Sequence, residues 1–236
     1  MNVALLTAAG SGTRMHQDIP KQFIHVDNKP IIIHTMEAFQ NHPSIDAILV
    51  VTLESWSDVL WAYAKQFNIT KLKWVVPGGE TGQDSIWNGL ERLKKELNDN
   101  DVVMVHDGNR PLISSEIISD SLSTFAKYGN AVAVIPCTEV VFESEDKISS
   151  CISTEREKLF RTQTPHTYKI GELYNAHKEA KRLGIKNTAA SCMLMKELGK
   201  ISYFSKGSEE NLKITTTDDL RIFKALLHTK DDAWIK

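Results

Sequence analysis

Ala4-Leu5-Leu6-Thr7-Ala8-Ala9-Gly10-Ser11-Gly12-Thr13-Arg14-Met15, followed by Pro20-Lys21-Gln22-Phe23, is the stretch that decides how this chain reads. An apolar strand runs into a loop of small residues, and the loop carries an arginine and then a lysine. Ala, Gly and Ser let the backbone approach a polyphosphate closely, and successive N–H groups at such a turn make an anion nest. Arg14 and Lys21 add fixed positive charge where phosphate charge develops. The combination predicts an enzyme that opens a nucleoside triphosphate. A dinucleotide fingerprint would need a third glycine where Thr13-Arg14-Met15 stands, and no acidic residue is clearly placed after a second strand to hold a ribose. A nicotinamide-dependent oxidoreductase therefore has only the glycine-rich turn in its favour. The Walker sequence Gly-Lys-Ser/Thr does not occur either.

Working outward, short apolar runs alternate with amphipathic stretches, the pattern of βα units on a largely parallel sheet. Val3 to Thr7, Ala47 to Thr52, Leu72 to Val76, Val102 to His106 and Ala131 to Ile135 are rich in Val and Ile. They are too continuous to be half-exposed strands. Helical patterns run from Pro30 to about Gln40, Ser55 to Phe67, Asp84 to Leu97 and Ser114 to Tyr128. The expected fold class is α/β: a doubly wound, largely parallel, Rossmann-like sheet, with its crevice at the strand C-termini. The Gly10 loop, Gly78-Gly79 and Asp107 all fall just after strands, where that rule wants a site. The rhythm breaks at about 137–161, where Val140-Val141-Phe142 and Ile148 to Ile152 flank a charged turn. A lone hairpin of this kind is poorly stable and favours packing on another chain. Helices follow from Lys169 to Leu183 and Ala189 to Leu198, then a strand near Ile201 to Phe204 and a last helix from Thr217 to Leu227, capped by Thr216 or Thr217.

Composition narrows the classes. A chain of 236 residues suits one α/β domain spanning 1–236. Apolar residues at 42% and charged residues at 25% are ordinary for a soluble globular protein. A net charge of −2 gives no support to nucleic-acid or anionic-membrane binding, so phosphate chemistry must rest on local basic residues. No signal peptide and no long apolar run is evident. Cys137, Cys151 and Cys192 are widely spaced, read as free thiols, and point to a reducing cytoplasm.

Further pieces carry a resemblance. Pro77-Gly78-Gly79-Glu80, Asp84-Ser85, Val105-His106-Asp107-Gly108-Asn109-Arg110-Pro111, Thr162-Gln163-Thr164-Pro165 and Asn211-Leu212-Lys213-Ile214-Thr215 follow the opening loop in order. Over nearly its whole length the chain resembles the cytidylyltransferases that make CDP-methylerythritol and CDP-ribitol. Lys29-Pro30-Ile31-Ile32-Ile33-His34-Thr35 and Lys213-Ile214-Thr215-Thr216 look closer to the ribitol-phosphate branch.

The resemblance implies transfer of CMP from CTP to a polyol phosphate with release of pyrophosphate, ribitol 5-phosphate being the favoured acceptor. Methylerythritol phosphate and glycerol phosphate are the alternatives, and a CTP-binding protein without turnover is the rival of another class. The acceptor phosphate is already ionised at neutral pH, so the reaction needs positioning and charge neutralisation and no covalent intermediate. By resemblance Ala8, Ala9, Gly10 and Gly12 line the triphosphate, with Arg14 and Lys21 on its oxygens. Gly78, Gly79, Glu80 and Ser85 resemble the cytosine and ribose pocket, and Lys213 matches a lysine that approaches the α-phosphate. Asp107, at a strand end, can hold Mg²⁺, which takes few protein ligands plus phosphate oxygens. Arg156 and Arg110 are expected at the acceptor phosphate, though Arg110 has the alternative of pairing with Asp107. His106 reads as a packed residue. The family's arm reaches across a homodimer and completes the neighbour's site.

Three positions depart from that pattern. Gly82 stands where an arginine is common, which predicts a looser loop. Val140 stands where a threonine binds phosphate, unless Thr138 substitutes by a register shift. Ala189-Ala190 replaces a Thr-Asp pair near the acceptor. The CTP half thus reads as intact and the acceptor half as altered.

Overall fold

A computed structural model describes residues 1–10 and 19–229. The expected Val3–Thr7 run is the middle of β1 (Asn2–Ala8), and the chain then reaches a small ladder of β2 (His25–Val26) and β3 (Lys29–Pro30). Pro30 stands just ahead of α1 (Ile31–Asn41) with φ −58°, the value its ring imposes and a helix start tolerates. β4 (Ala47–Thr52) is buried at every position, as a strand covered on both faces must be. A 3₁₀ turn at Glu54–Trp56 leads into α2 (Ser57–Gln66), and β5 (Leu72–Pro77) follows. α3 (Gly82–Leu93) is opened by a capping box in which Thr81 and Asp84 satisfy each other's backbone N–H. β6 (Val102–Asp107), α4 (Ser115–Tyr128) and β7 (Ala131–Pro136) complete the regular alternation. Ser114 caps α4, and Gly129 ends it at φ +90°, the left-handed geometry that glycine supplies without strain.

The hairpin expected at about 137–161 is present as β8 (Val141–Glu143) against β9 (Ile152–Thr154). Its apolar side chains Val140, Phe142, Ile148 and Ile152 are all exposed. One strand was not expected. β10 (Phe160–Lys169) returns from the hairpin into the middle of the sheet, antiparallel to both β6 and β7. Its sequence is polar and contains Pro165, which argues against a central strand because proline cannot donate to the ladder. The structure accommodates it at an irregularity: the pairing to β7 shifts register between Thr162 and His166, and the pairing to β6 begins at His166.

After α5 (Ile170–Leu183) and α6 (Ser191–Glu197) come β11 (Phe204–Lys206) and α7 (Thr217–His228), where Thr216 is the cap. The central sheet has seven strands in the order β11-β7-β10-β6-β1-β4-β5, parallel except for β10. One face packs Leu5, Leu49, Val105 and Tyr168 beneath α3, α5 and α6, with Leu90, Leu173 and Leu194 from the helices. The other packs Leu6, Ile48 and Met104 beneath α1, α2 and α4. This is the doubly wound arrangement expected, with one antiparallel strand added. The C-terminal ends of β1, β5 and β6 open into a common cleft, which the N-terminal half of β10 also borders.

Candidate active site

The cleft has a volume of about 590 Å³, within the range of small-ligand sites. Ala8, Ala9, Gly10, Lys21, Gly79, Glu80, Ser85, Asp107, Arg110 and Lys213 all line it. Gly12 and Arg14 lie outside the described residues. Arg156 does not line the cleft; it sits in the exposed 3₁₀ turn Arg156–Lys158 beside Glu157.

Each wall has a local cause. Lys21 belongs to a short 3₁₀ turn whose Phe23 is buried and stacks on Trp56 with ring centroids 4.4 Å apart. Gln22, also buried, donates its side-chain amide to the Ala8 carbonyl and so fastens this turn to the end of β1. At the mouth of β5, a Cβ on Gly78 would collide with Ala9, and one on Gly79 with Asp84. The two glycines are what allow this turn to lie against the β1 loop and the start of α3. The Gly79 N–H donates to Ser85 Oγ at 3.1 Å. Gly82 occupies the first turn of a well-capped helix, so the loosening expected there is not seen.

The polar centre is Asp107. Its Oδ2 accepts from Arg110 Nε at 2.9 Å, and its Oδ1 accepts from Lys213 Nζ at 3.0 Å. Burial alone would raise its pKa, but Lys213 and Arg110 outweigh burial and hold the carboxyl well below the usual carboxylate range. Arg110 thus makes the Asp107 pairing read from sequence as its alternative, and its Nη1 also donates to the Asn211 carbonyl at 2.6 Å. The Asn109 and Ile214 backbones bond at 2.9 Å, which zips the loop after β6 to the segment that carries Lys213.

His106 is fully buried, and burial lowers its pKa to about 3, so it is neutral. Its Nε2 lies 3.3 Å from the Arg110 carbonyl, which can only accept, so Nε2 carries the proton. Nδ1 is then the acceptor for the Thr164 hydroxyl at 3.0 Å, and that hydroxyl accepts the Asp107 N–H at 3.1 Å. His106 thus holds the strand end in place and offers no base to the cleft, as its packed reading expected.

Sequence reasoning passed over three residues that shape the site. Asn211 is buried and donates to the Thr164 carbonyl at 2.9 Å. Gln83 accepts from the Thr188 N–H and hydroxyl and donates to the Ile185 carbonyl, pinning the segment before α6 to the first turn of α3. His166 faces the cleft from β10. Asn211 and Gln83 act on backbone far away in sequence, and His166 lies on the strand that proline disguised. Ala189 and Ala190 do line the cleft and offer it no polar side chain.

An open α/β sheet with a small-residue turn, two lysines and a half-buried aspartate–arginine pair at its carboxyl edge defines a phosphoryl-handling nucleotide enzyme. Residues 2–229 match the family described as IspD, 2-C-methyl-D-erythritol 4-phosphate cytidylyltransferase. The chain is similar to a ribitol-5-phosphate cytidylyltransferase from Lacticaseibacillus paracasei, 41% identical over 98% of this chain and 100% of that protein. It is similar also to a 2-C-methyl-D-erythritol 4-phosphate cytidylyltransferase from Clostridium botulinum strain Okra, 37% identical over 96% of this chain and 97% of the other. Among solved structures, the Francisella tularensis 2-C-methyl-D-erythritol 4-phosphate cytidylyltransferase superposes with a TM-score of 0.79 at 26% identity, covering 95% of this chain and 98% of that one. The chain belongs to the IspD family of cytidylyltransferases. It is a nucleotidyltransferase that uses CTP.

Proposed function

We propose that the chain transfers CMP from CTP to ribitol 5-phosphate, giving CDP-ribitol and pyrophosphate. The observation that carries this reading is the meeting of Lys21, Lys213 and the Asp107–Arg110 pair around one cleft beside the Ala8–Gly10 turn. The name of the Lacticaseibacillus relative favours ribitol 5-phosphate as the acceptor, and Ala189–Ala190 disfavours a site identical to that for methylerythritol phosphate.

The triphosphate lies along Ala8, Ala9 and Gly10, whose backbone N–H groups face its oxygens, and Arg14 and Lys21 neutralise charge on it. The Gly78–Gly79 turn, Glu80 and Ser85 hold cytosine and ribose. The ionised acceptor phosphate attacks the α-phosphorus in line, and pyrophosphate leaves. Lys213, exposed enough to swing, leaves Asp107 and takes up the negative charge that builds on the α-phosphate. Arg110 stays with Asp107 and keeps the strand end fixed.

Mg²⁺ fits this donor set. Among the described residues no cluster of three or more His, Cys, Asp or Glu could hold a metal alone. Asp107 supplies one ionised carboxylate at the cleft, the number Mg²⁺ takes when phosphate oxygens and water complete its shell. When bound, the ion supplies charge neutralisation on the phosphates.

The exposed apolar hairpin packs on a second copy of the chain, and Arg156 at its base reaches the neighbour's acceptor phosphate. The enzyme works in the cytoplasm, a reading its three free cysteines support. No described helix is long and apolar enough to cross a membrane. The test is pyrophosphate release with CTP and Mg²⁺ against ribitol, glycerol and methylerythritol phosphates. A clear preference for ribitol 5-phosphate is expected, and preference for another member reassigns the acceptor. Silence across the panel with CTP bound would refute turnover altogether.

A further inference from the structure

Among the described residues, three that line the cleft carry a buried polar atom with no hydrogen-bond partner: His166 Nε2, His177 Nε2 and Ser191 Oγ. All three residues are only 2% exposed. Buried polar groups are nearly always bonded, so orphans in a cleft wall point to what the cleft holds. His177 stacks on Trp87 and feels the charge of Asp84, which sets it at the α3 side, apart from the other two.

His166 stands opposite Val105 in the pairing of β10 to β6, two residues before Asp107 at the end of β6. The charges that act on it are those of Asp107, Arg110 and Lys213, so it lies at the phosphate-transfer end of the cleft. Burial keeps its ring neutral, with the pKa lowered to about 4. A neutral imidazole keeps one N–H and one lone pair, so it can pair fully with an alcohol, which both donates and accepts, whereas an ionised phosphate only accepts. Ser191 opens α6 directly after Ala189–Ala190 and can either donate or accept. Ser85, in the glycine-turn wall, already accepts the Gly79 N–H, so the unmet capacity of His166 and Ser191 lies elsewhere.

We infer that His166 and Ser191 read the acceptor: hydroxyls along the polyol phosphate exchange hydrogen bonds with the neutral His166 ring and with Ser191 Oγ. Two neutral groups thereby do the work that a carboxylate would do in place of Ala189–Ala190. This rests on the polyol-phosphate reading of the site.

The experiment compares the wild-type chain with His166→Leu, His166→Gln and Ser191→Ala in pyrophosphate release with Mg²⁺, varying CTP and the acceptor separately. His166→Leu and Ser191→Ala should each raise KM for ribitol 5-phosphate about tenfold, the scale of one lost hydrogen bond in a closed site, and leave KM for CTP within twofold. Each should also narrow the preference for ribitol phosphate over glycerol phosphate, which carries fewer hydroxyls. His166→Gln keeps an accepting oxygen and should recover most of the loss. CTP affinity by calorimetry confirms that each variant is folded, and Ser191→Ala tests the idea if His166→Leu does not fold. A rise in KM for CTP as large as that for the acceptor overturns the inference, because the two groups would then serve the ribose. Unchanged acceptor KM in an active enzyme overturns the inference and leaves the proposed function standing. Wild-type silence across the whole acceptor panel overturns both.

Discussion

Replacing Arg110 by methionine tests whether the Asp107 pair holds the site together. The Arg110 side chain is 11% exposed and that of Asp107 17%, so both charges are largely withdrawn from water. Removing one member of such a pair commonly costs about 3–5 kcal/mol, because the other charge is left behind. Lys213 remains at 3.0 Å from Asp107, but at 43% exposure it is screened and replaces only part of the loss. That leaves about 2 kcal/mol, to which the lost bond to the Asn211 carbonyl adds about 1 kcal/mol. A total of about 3 kcal/mol corresponds to a fall in Tm of roughly 6–12 °C for a domain of this size. Activity should fall further than stability implies. With Arg110 gone, Asp107 retains Lys213, and a catalytic group drawn off by about 1 Å loses on the order of a hundredfold in rate. The assay is thermal denaturation by circular dichroism at neutral pH, paired with pyrophosphate release, on Arg110→Met, Asp107→Asn and the double variant. The double variant should recover about 2 kcal/mol relative to the sum of the singles, the signature of coupled residues. Additive losses, or a single variant within 2 °C of wild type and within about threefold of its rate, would refute the reasoning.

Lys213→Met should lower kcat by about 10²–10³ while KM for CTP stays within about threefold, and Lys21→Ala should do at least as much; a loss under about tenfold in either removes that lysine from the transition state. His106, His166 and His177 are buried and neutral in the fold, with pKa values lowered to about 3, about 4 and about 4, whereas the unfolded chain protonates each near 6.5. Their contribution is complete above pH 6.5 and is lost as pH falls toward 4, by up to about 1.4 kcal/mol per pH unit for each ring, so the urea midpoint should drop between pH 7.5 and pH 5. An unchanged midpoint would mean that these rings are hydrated in the native state. Mixing Lys21→Ala and Arg156→Ala subunits should restore activity that neither shows alone. Failure to do so after verified subunit exchange would separate Arg156 from the neighbour's site.

The parallel half of the sheet was open to reading because strands covered on both faces must be apolar throughout, as Ala47–Thr52 is. Asp107 was legible as a carboxylate at the end of an apolar strand, and Lys21 as a basic residue following a small-residue loop; Lys213 was placed only by resemblance, since nothing local marks it. β10 was hidden, since Phe160–Lys169 is polar and interrupted by Pro165, and only the register shift beside that proline shows how it fits. α3 stops at Leu93 where helical periodicity suggested Leu97, and the last strand lies at Phe204–Lys206, a few residues beyond the expected one. Asn211 and Gln83 were illegible on principle, because each serves backbone that only the folded chain brings near.

The hairpin has a further consequence that follows from where it is inserted. It leaves the sheet at the end of β7 and re-enters at the start of β10, and the Cys137 N–H donates to the Leu159 carbonyl at 2.9 Å across its base. Its two roots are therefore already closed on each other, so the protrusion is modular: a short turn joining the roots would leave the seven-stranded core with every one of its ladders. Such an excised chain would be a minimal CTP-binding scaffold, onto which arms of other lengths and compositions could be grafted without redesigning the sheet.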